Sequence, residues 1–215
     1  VIKVDYTIGS TSWHINKKLM SMNDIPMMSL DLETKGVYSK LERKRALKLL
    51  ATEDITKKCQ NYYLISNNSG LSYPSLVNVT HFVFGISKSS SIILIPENPR
   101  QEIIIWKWIV NYQGKLLVHN TLFDLKVMYH RTHAFPKDYE DTALRIKTLI
   151  NNSKSWKAKI GLKDLMGSHY SPKWTLIDEY EPDNPKEEKF LRYAAIDGAA
   201  TYYLWNLIKQ QEIKK

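Results

Sequence analysis

Apolar residues change their spacing in a set order along this chain, and that order restricts the fold more than any bulk property does. Ile25 to Glu33 reads as a strand. After a long polar and basic stretch, Val79 to Ser87 and Ser91 to Pro96 give two more strand-like runs, and the turn residues Ser87 to Ser90 join them as a hairpin. The period then switches. Gln101 to Tyr112 reads as a helix with Gly114 as its stop signal, and Lys115 to His119 as a short buried strand. A helix runs from near Phe123 to about Arg131, Ala134 to Glu140 holds a short strand or turn, and Asp141 N-caps a helix to Ile150. Gly161 to Met166 forms a short helix, and His169 to Asn184 is rich in loop residues, Pro172 and Pro182 among them. The last helix, Lys186 to Gln211, presents Phe190, Leu191, Ala194, Ala195, Tyr202, Leu204 and Leu207 as a broad buried face. Strands first, then helix alternating with strand, indicate an α/β sheet covered by helices.

The 215 residues suffice for a single domain with a real core, and one domain over residues 1–215 is expected. The formal net charge of +9 argues for an anionic partner, nucleic acid first, although lysine-rich surfaces also serve solubility alone. Cys59 is the sole cysteine, which removes any intramolecular disulfide or zinc-type cluster and suits a reducing compartment. No apolar run approaches the ~20 residues of a membrane span, and no signal peptide is visible, so no membrane partner is expected.

Three short segments could carry chemistry. Asp31 and Glu33 flank one residue at the end of a strand, so both carboxylates face the same side. Two like charges side by side need either solvent or a cation between them, and a divalent metal suits carboxylate oxygens. The same pair also fits a solvated loop start. Asp124 sits near a helix N-terminus in His119-Asn120-Thr121-Leu122-Phe123-Asp124, where it complements the helix dipole and equally fits a plain cap. Asn120 can reach a sugar or a carboxylate, or simply serve the turn. Tyr193 and Asp197 lie one turn apart on the last helix. An Asp in an apolar helical setting is costly without a partner, and a neighbouring tyrosine can hydrogen-bond a metal-held water. Alternatively, Tyr193 packs on the sheet and Asp197 is exposed.

Taken together, Asp-x-Glu on an early strand, Asn-x-x-x-Asp after a later strand and Tyr-x-x-x-Asp on the last helix resemble the tyrosine-bearing DEDD 3′–5′ exonucleases. The likeness spans about Met27 to Leu207. Asp141-Thr142-Ala143-Leu144, Gly161-Leu162-Lys163-Asp164-Leu165 and the segment from Tyr193 to Trp205 are similar to the proofreading domains of family A DNA polymerases. The resemblance implies an α/β ribonuclease H-like fold: a mixed central sheet, three antiparallel strands then parallel strands, flanked by helices. It implies two divalent ions, Mg²⁺ or Mn²⁺, held by Asp31, Glu33, Asp124 and Asp197, with Tyr193 and Glu33 orienting the attacking water. Tyrosine's ordinary pKa near ~10 favours such an orienting role over that of a general base. Thr34 and Asn120 would contact the terminal nucleotide, Phe123 would lie beside the metal site as a further substrate-binding residue, Val37 would wedge between the last two bases, and Lys159 would touch the scissile phosphate. His119 and Leu122 stand where well-known members carry Gln and Lys.

The chain departs from that family after its first matching strand, where residues 38–78 form an inserted basic, partly helical element. Within Ser39 to Ala51, Lys40, Lys44 and Lys48 recur at helical spacing beside Arg43 and Arg45, with Leu49 and Leu50 off the stripe. Such a stripe could track DNA phosphates or merely be solvated. Tyr62, Tyr63 and Tyr73 could stack on bases or pack the insertion onto the core. His130, His133, Trp106 and Trp108 read as surface or packing groups. The expected function is proofreading of single-stranded DNA or a frayed primer 3′ end. A free-standing RNA exonuclease and a non-catalytic nucleic-acid-binding module are the alternatives. A chain starting at Val1 and ending where a polymerase domain begins in that family is expected to belong to a longer protein. The Lys-, Asn- and Ile-rich composition points to a phage or organellar source, hence to a cytoplasm, a host-cell cytoplasm or an organelle matrix.

Overall fold

The structure, a computed structural model, describes residues 3–36, 77–151, 160–169, 184 and 186–213. Val37, the insertion residues Lys40, Arg43, Lys44 and Lys48, the three tyrosines after them and Lys159 lie outside these described residues.

The strand anticipated over Ile25 to Glu33 is two elements, β2 (Met27–Ser29) and β3 (Asp31–Gly36), preceded by β1 (Asp5–Gly9) and helix α1 (Ser12–Met22). Neither β1 nor α1 was anticipated. β1 is an edge strand in which only Gly9 is buried; polar and apolar residues do alternate from Lys3 to Ile8, but over a short run that stays largely exposed. α1 is capped by Thr11, whose hydroxyl accepts from the His14 amide at 3.3 Å, and it buries Ile15, Leu19 and Met22 along one narrow stripe. β4 (Val77–Ser87) and β5 (Ser90–Leu94) form the expected hairpin. β4 begins at Val77, so it absorbs the last two residues assigned to the 38–78 insertion.

After the hairpin come α2 (Pro99–Asn111), β6 (Lys115–Val118), α3 (Asp124–Thr132), β7 (Tyr139–Asp141), α4 (Thr142–Asn151), α5 (Leu162–His169) and α6 (Glu188–Ile213). The hydrogen-bonded order is β1-β5-β4-β3 on one side and β2-β6-β7 on the other. The chain passes from β2 to β3 through Leu30, whose amide bonds the Leu117 carbonyl, so one extended run joins both halves. β3, β4 and β5 pair antiparallel, while β1 with β5, β2 with β6 and β6 with β7 pair parallel. This is the expected mixed sheet with helices on its faces, with β1 added at one edge.

Strand alternation sorts the core into two layers. Leu30, Leu32, Phe82, Phe84, Ile92 and Leu94 face α1, α2 and α3, together with Leu116 and Val118. Val83, Ile93 and Leu117 face the opposite way, against α5 and α6. Trp106 and Trp108 are packing groups, with Trp106 edge-on to Phe82 and Trp108 edge-on to Phe84. Among the described residues, no helix is long and apolar enough to cross a membrane.

Candidate active site

Asp31 and Glu33 lie on the α6 side of β3, because Leu32 between them points into the other layer. The pairing register shifts between Glu33 and Thr34, a bulge next to the second carboxylate. Such bulges bend a strand and re-aim the side chains beside them. The Thr80 hydroxyl tethers the irregularity by donating to the Glu33 carbonyl at 3.0 Å. Thr34 follows it, half-buried opposite Val79.

Asp197 comes from α6, and small residues explain how it gets close. Ala194, Ala195, Gly198, Ala199 and Ala200 are all buried where α6 crosses the sheet. The Ser29 hydroxyl donates to the Gly198 carbonyl at 2.6 Å and accepts from the Gly85 amide at 3.0 Å. The Ser91 hydroxyl bonds the Ala195 carbonyl at 2.8 Å. A Cβ on Gly85 would stand 2.3 Å from the Gly198 carbonyl oxygen, so helix and strand touch backbone to backbone. This crossing brings one oxygen each from Asp31, Glu33 and Asp197 within 4.8 Å of one another. Asp197 Oδ1 is buried and accepts no hydrogen bond among the described residues.

Asp124 completes the set from the first turn of α3, where it is buried. It and Asp31 both hydrogen-bond the Leu32 amide. The approach to α3 is held by Asp141, which accepts from the amides of Asn120 and Thr121, from the Thr121 hydroxyl, and from the amides of Ala143 and Leu144 as the N-cap of α4. Burial alone would raise the Asp141 carboxyl, but these donors outweigh it and hold the group below its ordinary value. Asn120 is exposed with φ of 62°, the left-handed turn that Asn tolerates, and Phe123 is half-buried against the core. His119 bridges Thr142 and the Ile160 carbonyl, and burial lowers its pKa.

The electrostatics are those of a crowded acid cluster. Burial pushes Asp31 up to about 6, with the Lys163 ammonium opposing. Burial and the charges of Asp31, Asp197 and Asp124 raise Glu33 well above the carboxylate range. Burial and Asp31 do the same to Asp124. Tyr193 is raised by burial first and then by Asp197 and Glu33, so its phenol keeps its proton. That phenol donates to the Asp197 carboxylate and accepts from Lys163 Nζ at 3.2 Å. The Lys163 ammonium also lies 4.7 Å from the centre of the Tyr193 ring.

A set of hard oxygen donors this close, whose anionic forms are disfavoured until a cation arrives, fits divalent metal ions. The structure thus brings together all five residues anticipated for the catalytic set. Sequence reasoning missed Lys163 as a member of the site. Its motif was visible, but no spacing rule aims a lysine on a short separate helix at Tyr193. His81, buried opposite Glu33 in the pairing register and 4.8 Å from the Phe190 ring, was also missed.

Compared by sequence, the chain matches no family model and no curated protein. Solved structures do match. NrnC of Brucella melitensis bound to pGG superposes with a TM-score of 0.59 at 12% identity, covering 100% of this chain and 83% of that one. The fold is that of ribonuclease H-like exonucleases. The catalytic core of RRP6 from Trypanosoma brucei matches with a TM-score of 0.64 at 10% identity, over 100% of this chain and 49% of that one. Escherichia coli RNase D, an exoribonuclease involved in structured RNA processing, matches with a TM-score of 0.54 at 13% identity, over 98% and 45%. At these identities the likeness is one of fold.

Proposed function

We propose that this chain is a metal-dependent 3′–5′ exonuclease that hydrolyses the terminal phosphodiester of single-stranded nucleic acid and releases 5′-mononucleotides. The observation that carries this reading is the meeting of Asp31, Glu33 and Asp197 oxygens within 4.8 Å, at the crossing of β3 and α6. Asp124, buried beside Asp31, supplies the fourth carboxylate. These residues would hold two ions, Mg²⁺ or Mn²⁺. Bound there, such ions lower the pKa of a coordinated water and offset the charge that develops on the phosphate. A Mg²⁺-bound form of B. melitensis NrnC, at 12% identity, supports the choice of ion.

The chain's own residues do the positioning. Tyr193, kept protonated, acts as a hydrogen-bond donor and not as a base. Its ring is held from one side by Lys163 and its hydroxyl is directed at Asp197, which places a fixed donor at the edge of the cluster. Glu33, next to the bulge, is the second group that would orient a water. Lys163 puts a positive charge beside the position of an incoming phosphate. Asn120, Thr34 and Phe123 border the cluster in sequence and would receive the terminal sugar and base.

Two substrate readings have support. The segments Asp141 to Leu144 and Tyr193 to Trp205, similar to family A polymerases, favour DNA and a proofreading role. The RNA U12 bound by T. brucei RNase D, a match at 13% identity and a TM-score of 0.58, favours RNA. One assay separates them: end-labelled single-stranded DNA and RNA, each with Mg²⁺, Mn²⁺ or EDTA. Release of mononucleotides that stops in EDTA is expected. DNA-selective release supports proofreading, and RNA-selective release supports RNA trimming. Asp124→Ala should abolish release and leave the circular dichroism spectrum unchanged. Binding without release in any metal would overturn the enzymatic reading.

A further inference from the structure

The outer face of α3 carries a feature that the carboxylate cluster does not use. Leu122, Lys126, Tyr129 and His133 follow one another at helical spacing, on the side of α3 turned away from buried Asp124, Val127 and Met128. Phe135 and Tyr139 rise beside this stripe and close a groove of about 550 Å³. The Tyr129 and Phe135 rings lie stacked, 5.0 Å apart and 18° from parallel. Leu122 is 69%, Tyr129 48%, Phe135 50% and Tyr139 43% exposed, so a run of large apolar groups stands open to water. Scattered single groups of this kind would mean nothing, but a contiguous patch marks a contact surface.

The chemistry of the patch decides between occupants. Lys126 lines the groove beside the imidazoles of His130 and His133, and among the described residues no carboxylate does. Flat aromatic faces interleaved with cations are how proteins hold a single strand without reading its sequence: bases lie on rings and phosphates meet cations. An apolar protein segment would gain nothing from the Lys126 ammonium. Position agrees with this. The groove begins at Thr121 and Leu122, in the turn that Asp141 holds and that leads directly into Asp124. From Asp124 to Thr132 the helix beneath the stripe runs about 12 Å along its axis. A strand whose 3′ end lies at the carboxylates can therefore cross the N-terminal turn of α3 and continue along its outer face.

We propose that this groove is a binding subsite for the part of the substrate strand that precedes the scissile nucleotide. The inference rests on the exonuclease reading and deepens it: the preferred substrate is a single strand long enough to reach Tyr129 and Phe135, not a dinucleotide. The test compares a dinucleotide with a strand of about ten nucleotides, a length within single-strand site sizes, made as RNA and as DNA. Wild type, Tyr129→Ala, Phe135→Ala, Lys126→Ala and the conservative Tyr129→Phe are assayed with Mg²⁺. Tyr129→Ala and Phe135→Ala should each raise KM for the longer strand roughly tenfold and leave kcat and dinucleotide KM unchanged. Tyr129→Phe, which keeps the ring, should behave as wild type. Lys126→Ala should flatten the salt dependence of binding by about one phosphate contact. Anisotropy of the fluorescein-labelled longer strand in EDTA reads the groove without turnover, so an inactive wild type would sink the exonuclease reading while leaving this one measurable. Equal binding of the longer strand by wild type and the alanine variants overturns the subsite. So does a KM rise shared equally by the dinucleotide. A wild-type dimer that Tyr129→Ala converts to monomer, with strand binding intact, would assign the groove to a second copy of the chain instead.

Discussion

At the scale of single residues, the site is a set of groups that raise one another's cost of being charged. Asp31 shares its surroundings with Glu33, Asp124 and Asp197, and burial is the largest influence on each of the first three. Lys163 is the cation that lowers both Asp31 and Glu33, and it also fixes Tyr193. The tyrosine's role follows from its surroundings. A phenol held protonated between an ammonium and a carboxylate can orient a water but cannot accept a proton from it. Tyr193→Phe keeps the ring and the Lys163 contact to it while removing the hydroxyl. Turnover should fall by about a hundredfold with Mg²⁺ affinity unchanged, measured by single-turnover kinetics and titration calorimetry. A variant that loses Mg²⁺ affinity as well would show that the phenol shapes the carboxylates and not the water.

At the scale of elements, the carboxylate cluster depends on how closely α6 can approach the sheet. Gly85 and Gly198 let backbone meet backbone, and Ser29 ties the two with a pair of hydrogen bonds. The reason is geometric, since Asp197 precedes Gly198 and any retreat of the helix carries Asp197 away from β3. Gly85→Ala forces a methyl to within 2.3 Å of the Gly198 carbonyl oxygen and 2.4 Å of Ser29 Oγ. Such overpacking should cost about 1–3 kcal/mol in urea unfolding. Mg²⁺ affinity should fall with it, because the oxygens of Asp31, Glu33 and Asp197 no longer converge. Retained Mg²⁺ affinity in a destabilised Gly85→Ala protein would separate the packing of α6 from the metal site. Asp141 serves α3 in a similar way, since its carboxylate holds the turn that aims Asp124 and also caps α4.

At the scale of the whole molecule, the carboxylates tie three distant parts of the chain, β3, α3 and α6, into one centre. Their repulsion opposes folding unless a proton or a cation intervenes. Asp31, raised from 3.8 to about 6, keeps a proton in the folded chain that the unfolded chain has already released. Folded protein therefore binds more protons in that window, and metal-free stability falls as pH rises from about 4 to about 6, with Glu33 and Asp124 extending the loss upward. Mg²⁺ competes with those protons, so the Tm increase on adding Mg²⁺ should grow between about pH 5 and pH 7. Melting curves in EDTA and in Mg²⁺ check this, and a Mg²⁺ increment that ignores pH would place the ion elsewhere. What could be read from sequence was local. Periodicity located β4 to β6 and the helices after them, and the order of Asp31, Glu33, Asp124, Tyr193 and Asp197 singled out the acid set, because each lies in a short segment with its own spacing. Edge strand β1 and helix α1 escaped although their periodic signals are present, alternation over Lys3 to Ile8 and the i, i+4, i+7 spacing of Ile15, Leu19 and Met22, because both elements are short and lie outside the segments that carry the acid set. Only the tertiary structure decided that Asp197 stands over Asp31 through a glycine crossing, that Lys163 reaches Tyr193, and that Tyr129 and Phe135 stack beside the α3 turn. Those contacts join residues far apart in the chain or on separate elements, where distance is set by packing and not by sequence spacing.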